Sequence, residues 1–197
     1  MREITLFVTF FTTLWLTAQD ISLALQKPEV VSDDAKRAEW LSVSPEIGAR
    51  FGSANQRYPS DRMDTKSLQT CDTLVAWRGE RVHTQVLIWS AGTDTKFSVS
   101  VGRLKSDTHS TLSPKAFTIG TIGYTMTDEF APGCGHRRPQ DFDSFMVADI
   151  IHTGVRTGVV AANTVQPVWI SLRVPETAAA GTYSTTVTVK AGGAIRL

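Results

Sequence analysis

Charge is scarce in this sequence. Only 20% of the 197 residues are Asp, Glu, Lys or Arg, and the formal net charge is +1. No run of Lys or Arg is longer than a pair, such as Arg137-Arg138. That excludes the clustered cations with which a nucleic-acid binder neutralises phosphates. Cysteine is scarcer still, with Cys71 and Cys134 alone. A multi-bridge disulfide scaffold is therefore ruled out. The four histidines, His83, His109, His136 and His152, are scattered, and no CxxC or HxxxH spacing accompanies them, so no zinc signature is present. A GxSxG elbow, a phosphate-binding P-loop and a dinucleotide fingerprint are also missing. No internal repeat and no amphipathic helical period stand out, which argues against solenoids and helical bundles. Nothing in these absences calls for a cofactor.

Long apolar runs are confined to the N-terminus. There Arg2 precedes the run Ile4–Leu16, followed by the small residues Thr17 and Ala18. The run is too short to span a bilayer comfortably as a helix, and it reads as a secretory signal peptide over residues 1–18. The expected location is therefore exported: periplasmic, cell-surface or extracellular, with no membrane attachment beyond that segment. Export permits a Cys71–Cys134 bridge, worth about 4 kcal/mol on loop-closure grounds. Two free cysteines packed as small apolar groups fit the sequence as well.

Against these absences, 42% of the residues are hydrophobic, enough for one real core. Their spacing is mostly two. In Pro167–Val189, Val168, Ile170, Leu172 and Val174 alternate with Trp169, Ser171 and Arg173; after a Pro, Ala and Gly loop, Tyr183, Thr185, Val187 and Val189 repeat the alternation. Val82, Thr84, Val86 and Ile88 share one face of a strand over Arg81–Ser90, and its far end is apolar on both faces, as in a central strand. Leu74–Trp77 with Arg78-Gly79-Glu80 predicts a hairpin into that strand. Further strands are expected around Phe97–Val101, Phe117–Met126 and Val155–Ala162. The fold class is all-β: a two-sheet antiparallel β-sandwich, immunoglobulin-like or jelly-roll-like, with one short helical turn and a long loop.

The ends are less regular. Residues 19–39 read as a lead-in or a short first strand, and the sandwich runs over 40–190. Trp40–Ser44 suggests a short strand, and Ser44-Pro45-Glu46 offers an N-cap, a first-turn Pro and an early acid for one helical turn. Residues 53–70 look like a loop. Thr127–Asp149, rich in Gly, Pro and charge, predicts a second, longer loop of the kind that carries function or an interface. Residues 191–197, beginning Ala191-Gly192-Gly193, read as the start of a linker to a further domain.

Candidate chemistry is thin. Asp128-Glu129 and the nearby Asp141 and Asp143 could serve as a carboxylate pair, but nothing in a polar loop forces a raised pKa. Cys134-Gly135-His136 is a weak thiol or zinc candidate. The residues with most to offer a glycan or an interface are Trp77 and Trp169, whose rings could stack on sugars, together with Phe130, His136 and Arg137 of the long loop. No catalytic, cofactor-binding or metal-binding residue is assigned.

Three motifs carry a resemblance: Trp77-Arg78-Gly79-Glu80-Arg81-Val82, Gln166-Pro167-Val168-Trp169-Ile170, and Val174-Pro175-Glu176-Thr177-Ala178 followed by Ala180-Gly181-Thr182-Tyr183. Together they resemble the N-terminal β-sandwich domain of glycoside hydrolase family 123, over roughly residues 40–189. The resemblance implies an exported bacterial β-N-acetylgalactosaminidase whose catalytic Asp-Glu pair lies in a following barrel and works through the substrate's acetamido group. The Asp128-Glu129 pair matches no such motif, and no active-site residue of the family carries over. The expected role is a non-catalytic accessory domain whose partner is that barrel. A stand-alone carbohydrate-binding module and an adhesion or interaction domain are the alternatives.

Overall fold

Alternating residues in the middle of the chain assemble into a five-stranded antiparallel sheet. A computed structural model of the protein describes residues 31–63, 65–127 and 145–197. In chain order the elements are α1 (Asp33–Ser42), β1 (Ile47–Gly52), β2 (Arg81–Ser90), β3 (Thr95–Val101), β4 (Leu104–Ser106), β5 (Thr111–Leu112), β6 (Phe117–Thr127), β7 (Phe145–Thr153), β8 (Thr157–Val160), β9 (Thr164–Arg173), β10 (Tyr183–Ser184), β11 (Val187–Ala191) and β12 (Ala194–Arg196). The large sheet has the order β1-β2-β9-β6-β7, and a four-stranded sheet, β12-β11-β3-β8, lies opposite it. A small third sheet has the order β10-β4-β5.

The sandwich core is formed where the two large sheets face each other. Ala49, Phe51, Val86, Ile88, Ile119, Val168 and Ile170 come from the first sheet, and Phe97, Val99, Val160, Val187 and Val189 from the second. These are the period-two positions of the sequence. Burying a Val, Ile or Phe side chain in such a core contributes roughly 1.5–3 kcal/mol. The end of β2 is buried on both faces, from Thr84 to Ser90, because β2 lies inside the sheet between β1 and β9.

Several sequence expectations are corrected. The two runs of Pro167–Val189, expected as strands, lie in opposite sheets: β9 between β2 and β6, and β11 between β12 and β3. Alternation marks a strand but does not name its neighbour. Among the described residues neither the end of the polar lead-in, 31–39, nor Trp40–Ser44 forms a strand; residues 19–30 lie outside the described residues. Residues 33–42 make α1, capped by Ser32, whose Oγ accepts from the Ala35 N–H, with Asp33 and Asp34 in the first turn. No helical turn follows Ser44-Pro45, a cis peptide; β1 begins at Ile47 instead. Leu74–Trp77 forms no strand and is exposed. The expected long loop gives up its last five residues to β7. Residues 194–196, expected in a linker, form β12 and pair with β11.

Candidate functional site

The outer face of the five-stranded sheet carries a second apolar cluster at one end. Leu87 and Trp89 of β2 and Val165 of β9 lie there beneath Trp40 of α1 and Tyr58, Met63 and Leu68 of the 53–70 crossing. Each buried indole N–H is satisfied, as burial demands: Trp40 Nε1 donates to the Asp61 carbonyl at 2.9 Å and Trp89 Nε1 to the Pro45 carbonyl at 2.9 Å. The buried Gln85 amide donates to the carbonyls of Ser53 and Gln56, pinning the crossing to the sheet. Opposite Trp89 stands Gly48, where a Cβ would overlap the indole ring. Glu39 of α1 completes the clamp by accepting from the Met63 N–H at 2.8 Å and from Arg62 Nε at 3.3 Å.

Between α1 and the 91–93 turn runs an open cleft of about 630 Å³, bordered by Asp33, Lys36, Arg37, Glu46 and Asp61. Its charges are mixed. Lys36 Nζ donates to Asp61 Oδ2 at 2.6 Å, and this hydrogen bond, with the carboxylate's charge, holds the ammonium above its ordinary pKa. Both side chains are partly exposed, so the pair contributes little to stability. Asp61 also acts on Tyr124, whose phenol donates to the Val165 carbonyl at 3.1 Å; burial first, and then this nearby charge, push its pKa up. Among the described residues no group of three His, Cys, Asp or Glu side chains gathers as a metal site.

At the other end of the outer face Ser171 is buried and His83 is half-buried. Register sets Trp169 beside Gln85 and Gly120, and His83 beside Ser171. Trp169 is half-buried. Its Nε1 donates to His83 Nδ1 at 3.1 Å, and the rings lie 5.1 Å apart. The proton of a neutral His83 therefore sits on Nε2. A Cβ on the neighbouring, buried Gly120 would come within 2.9 Å of the His152 carbonyl, so a side chain does not fit there. The sequence places His83 and Trp89 on one face of β2 but does not hold the His83–Trp169 pairing, which needs the β2–β9 register.

Past this end runs residues 71–80, an arm with neither helix nor strand. It is anchored at both ends. Thr84 Oγ1 donates to Asp72 Oδ2 at 2.5 Å. Farther along, the Gly79 N–H reaches the Val174 carbonyl at 2.9 Å, and the Val174 N–H reaches the Glu80 carbonyl at 2.8 Å. Between the anchors, the Glu80 carboxylate accepts from the Trp77 N–H at 2.6 Å and fixes a turn. Gly79 takes φ +79° there, a conformation that favours glycine. Leu74, Val75 and Trp77 stand exposed at 42%, 89% and 82%.

Of the residues the sequence nominated, Trp77 is exposed, Trp169 is half-buried and Cys71 is exposed. The two are not brought together with Trp40 and Trp89, which belong to the buried cluster. Phe130, Cys134, His136 and Arg137, with Asp128, Glu129, Asp141 and Asp143, lie outside the described residues. Among the described residues no helix is long and apolar enough to cross a membrane.

Comparisons with known proteins agree with this architecture. Among curated proteins none matches the sequence. A solved family 123 glycoside hydrolase from Clostridium perfringens, described by its hydrolysis of glycolipid glycans, superposes with a TM-score of 0.65 at 20% identity. The similarity covers 77% of this chain and 26% of that one, so this chain spans about a quarter of that enzyme's length, and the likeness is one of fold. The glycoside hydrolase 123 N-terminal domain matches residues 51–191, from the end of β1 through β11. On that match the chain belongs to the family of glycoside hydrolase 123 N-terminal domains.

Proposed function

We propose that this chain is the non-catalytic β-sandwich of an exported family 123 glycosidase, supporting a catalytic domain that acts on N-acetylgalactosaminide glycans. The observation that carries the proposal is the extent of the match. The family relationship covers residues 51–191, yet the fold corresponds to only 26% of the solved enzyme. In that enzyme most of the polypeptide lies outside this domain. The Clostridium perfringens enzyme's action on glycolipid glycans supports a glycan substrate, and the apolar run Ile4–Leu16 supports export.

The experiment is a comparison of this 197-residue chain with the full-length product of its gene, using an aryl β-N-acetylgalactosaminide. Turnover is expected from the full-length product and none from the chain alone. Hydrolysis by the chain alone would overturn the accessory role. Silence from both would overturn the proposed substrate.

A further inference from the structure

We propose that the arm over residues 71–80 is the docking face for the catalytic domain of the same polypeptide. The inference rests on the accessory-domain reading above and adds the surface through which the support is given.

The arm is unusual in being held in place yet uncovered. Hydrogen bonds tie it at Asp72, Gly79 and Glu80, while Leu74, Val75 and Trp77 point their apolar surface to solvent. A pinned backbone carrying an exposed indole has little order left to lose on binding. Trp and Arg dominate the residues that carry interface energy, and here Trp77 is followed by the exposed Arg78.

Two further observations select the occupant. The first is position. β2 begins at Arg81, opposite Arg173 of β9, so the arm leaves the sandwich at that end. In the opposite sheet Val187 pairs with Val101, and Leu197 exchanges both backbone hydrogen bonds with Val187 at 2.9 and 3.0 Å. The other end is marked by Ser90, whose hydroxyl lies 3.0 Å from that of Thr95 at the start of β3, and by Gly192 against Ile47. Val101 and Leu197 therefore lie at the arm's end of the molecule. In a longer chain, residues following Leu197 would start at the same end of the sandwich as the arm. The second observation is length. The solved enzyme holds this fold in about a quarter of its chain, leaving most of its polypeptide to be placed around it.

The chemistry also favours a protein surface over a sugar. A contiguous exposed apolar patch marks an interaction surface, and Trp77 shares its arm with the exposed aliphatic Leu74 and Val75.

Hydrogen exchange read by mass spectrometry over residues 73–78 tests the proposal, with the 197-residue chain compared against the full-length gene product. In the chain alone these amides should exchange fast, since among 73–78 only the Thr73 and Trp77 N–H groups have described acceptors, both of them carboxylates of exposed residues. In the full-length product they should slow by about tenfold or more, as expected for covered backbone. The double substitution V75S/W77S should return them to the fast rate. Equal exchange in the two proteins would overturn the docking face, as would a GalNAc-terminated glycan binding the chain and losing its affinity in W77S. Hydrolysis measured on the same samples separates the two ideas: turnover with a fast arm sinks the docking face alone, and a slow arm without turnover sinks the substrate alone.

Discussion

The crossing over residues 53–70 and the arm over 71–80 are neighbours in sequence with opposite fates. The crossing buries Tyr58, Met63 and Leu68 on the sheet and ties Ser53 and Gln56 to the buried Gln85. The arm has the stronger apolar run, Leu74-Val75-Ala76-Trp77, and buries none of it. Hydrophobicity alone therefore does not decide what is covered. The crossing's apolar residues are dispersed among polar ones and face a ready surface of Leu87, Trp89 and Val165. The arm's apolar residues are consecutive and exposed, and none belongs to either core cluster. The first segment serves the sandwich's own stability, and the second is available to something else.

Three substitutions sharpen this contrast, and the largest effect belongs under the crossing. Trp89 is 1% exposed and joins α1, the 43–46 turn and the crossing. Trp89→Ala should cost about 3–5 kcal/mol of stability in denaturant unfolding. A loss below about 1 kcal/mol would mean that the covered end is not a packed core.

The second concerns pH. Tyr124 is held neutral by burial and by Asp61, so its folded pKa lies above the ordinary value of 10.0. The unfolded chain ionises first. The contribution is whole below about pH 10 and is lost as pH climbs beyond it. Tyr124→Phe should cost about 1 kcal/mol at neutral pH through the lost bond to the Val165 carbonyl. It should also flatten the fall in stability between about pH 10 and 12, read as melting temperature against pH. An unchanged alkaline slope would sink this account.

The smallest effect is expected on the arm. Trp77→Ser in the 197-residue chain should change unfolding free energy by no more than about 0.5 kcal/mol. A drop comparable to that of Trp89→Ala would erase the distinction between the two segments.

The sequence disclosed strands more readily than their partners. The face of β3 was legible because one side packs on the core and the other does not, and β2 and β9 were legible as strands from their alternating inner residues although both of their faces are buried over much of their length. Assigning β9 and β11 to opposite sheets was not, since alternation carries no record of which strand lies alongside. The helix α1 was missed because its one buried residue is Trp40, which leaves no stripe to recognise. Its cap was written in Ser32-Asp33-Asp34 all the same. Ser44-Pro45-Glu46 shows the reverse failure, a good helix-start signal overruled by β1's pairing with β2. For the candidate site, Trp77 and Trp169 could be nominated by residue type. That one is bare and the other is bonded to His83 depended on register and on what the arm failed to touch.

Gly48 and Trp89 face one another across β1 and β2, and the indole occupies the volume that any side chain at 48 would need. Size at these two positions is therefore a shared quantity. In other members of the family the two should drift together, a bulkier residue at the first accompanied by a smaller ring or none at the second. A protein engineer who alters one without the other would open a void or force a collision in the floor on which the helix rests.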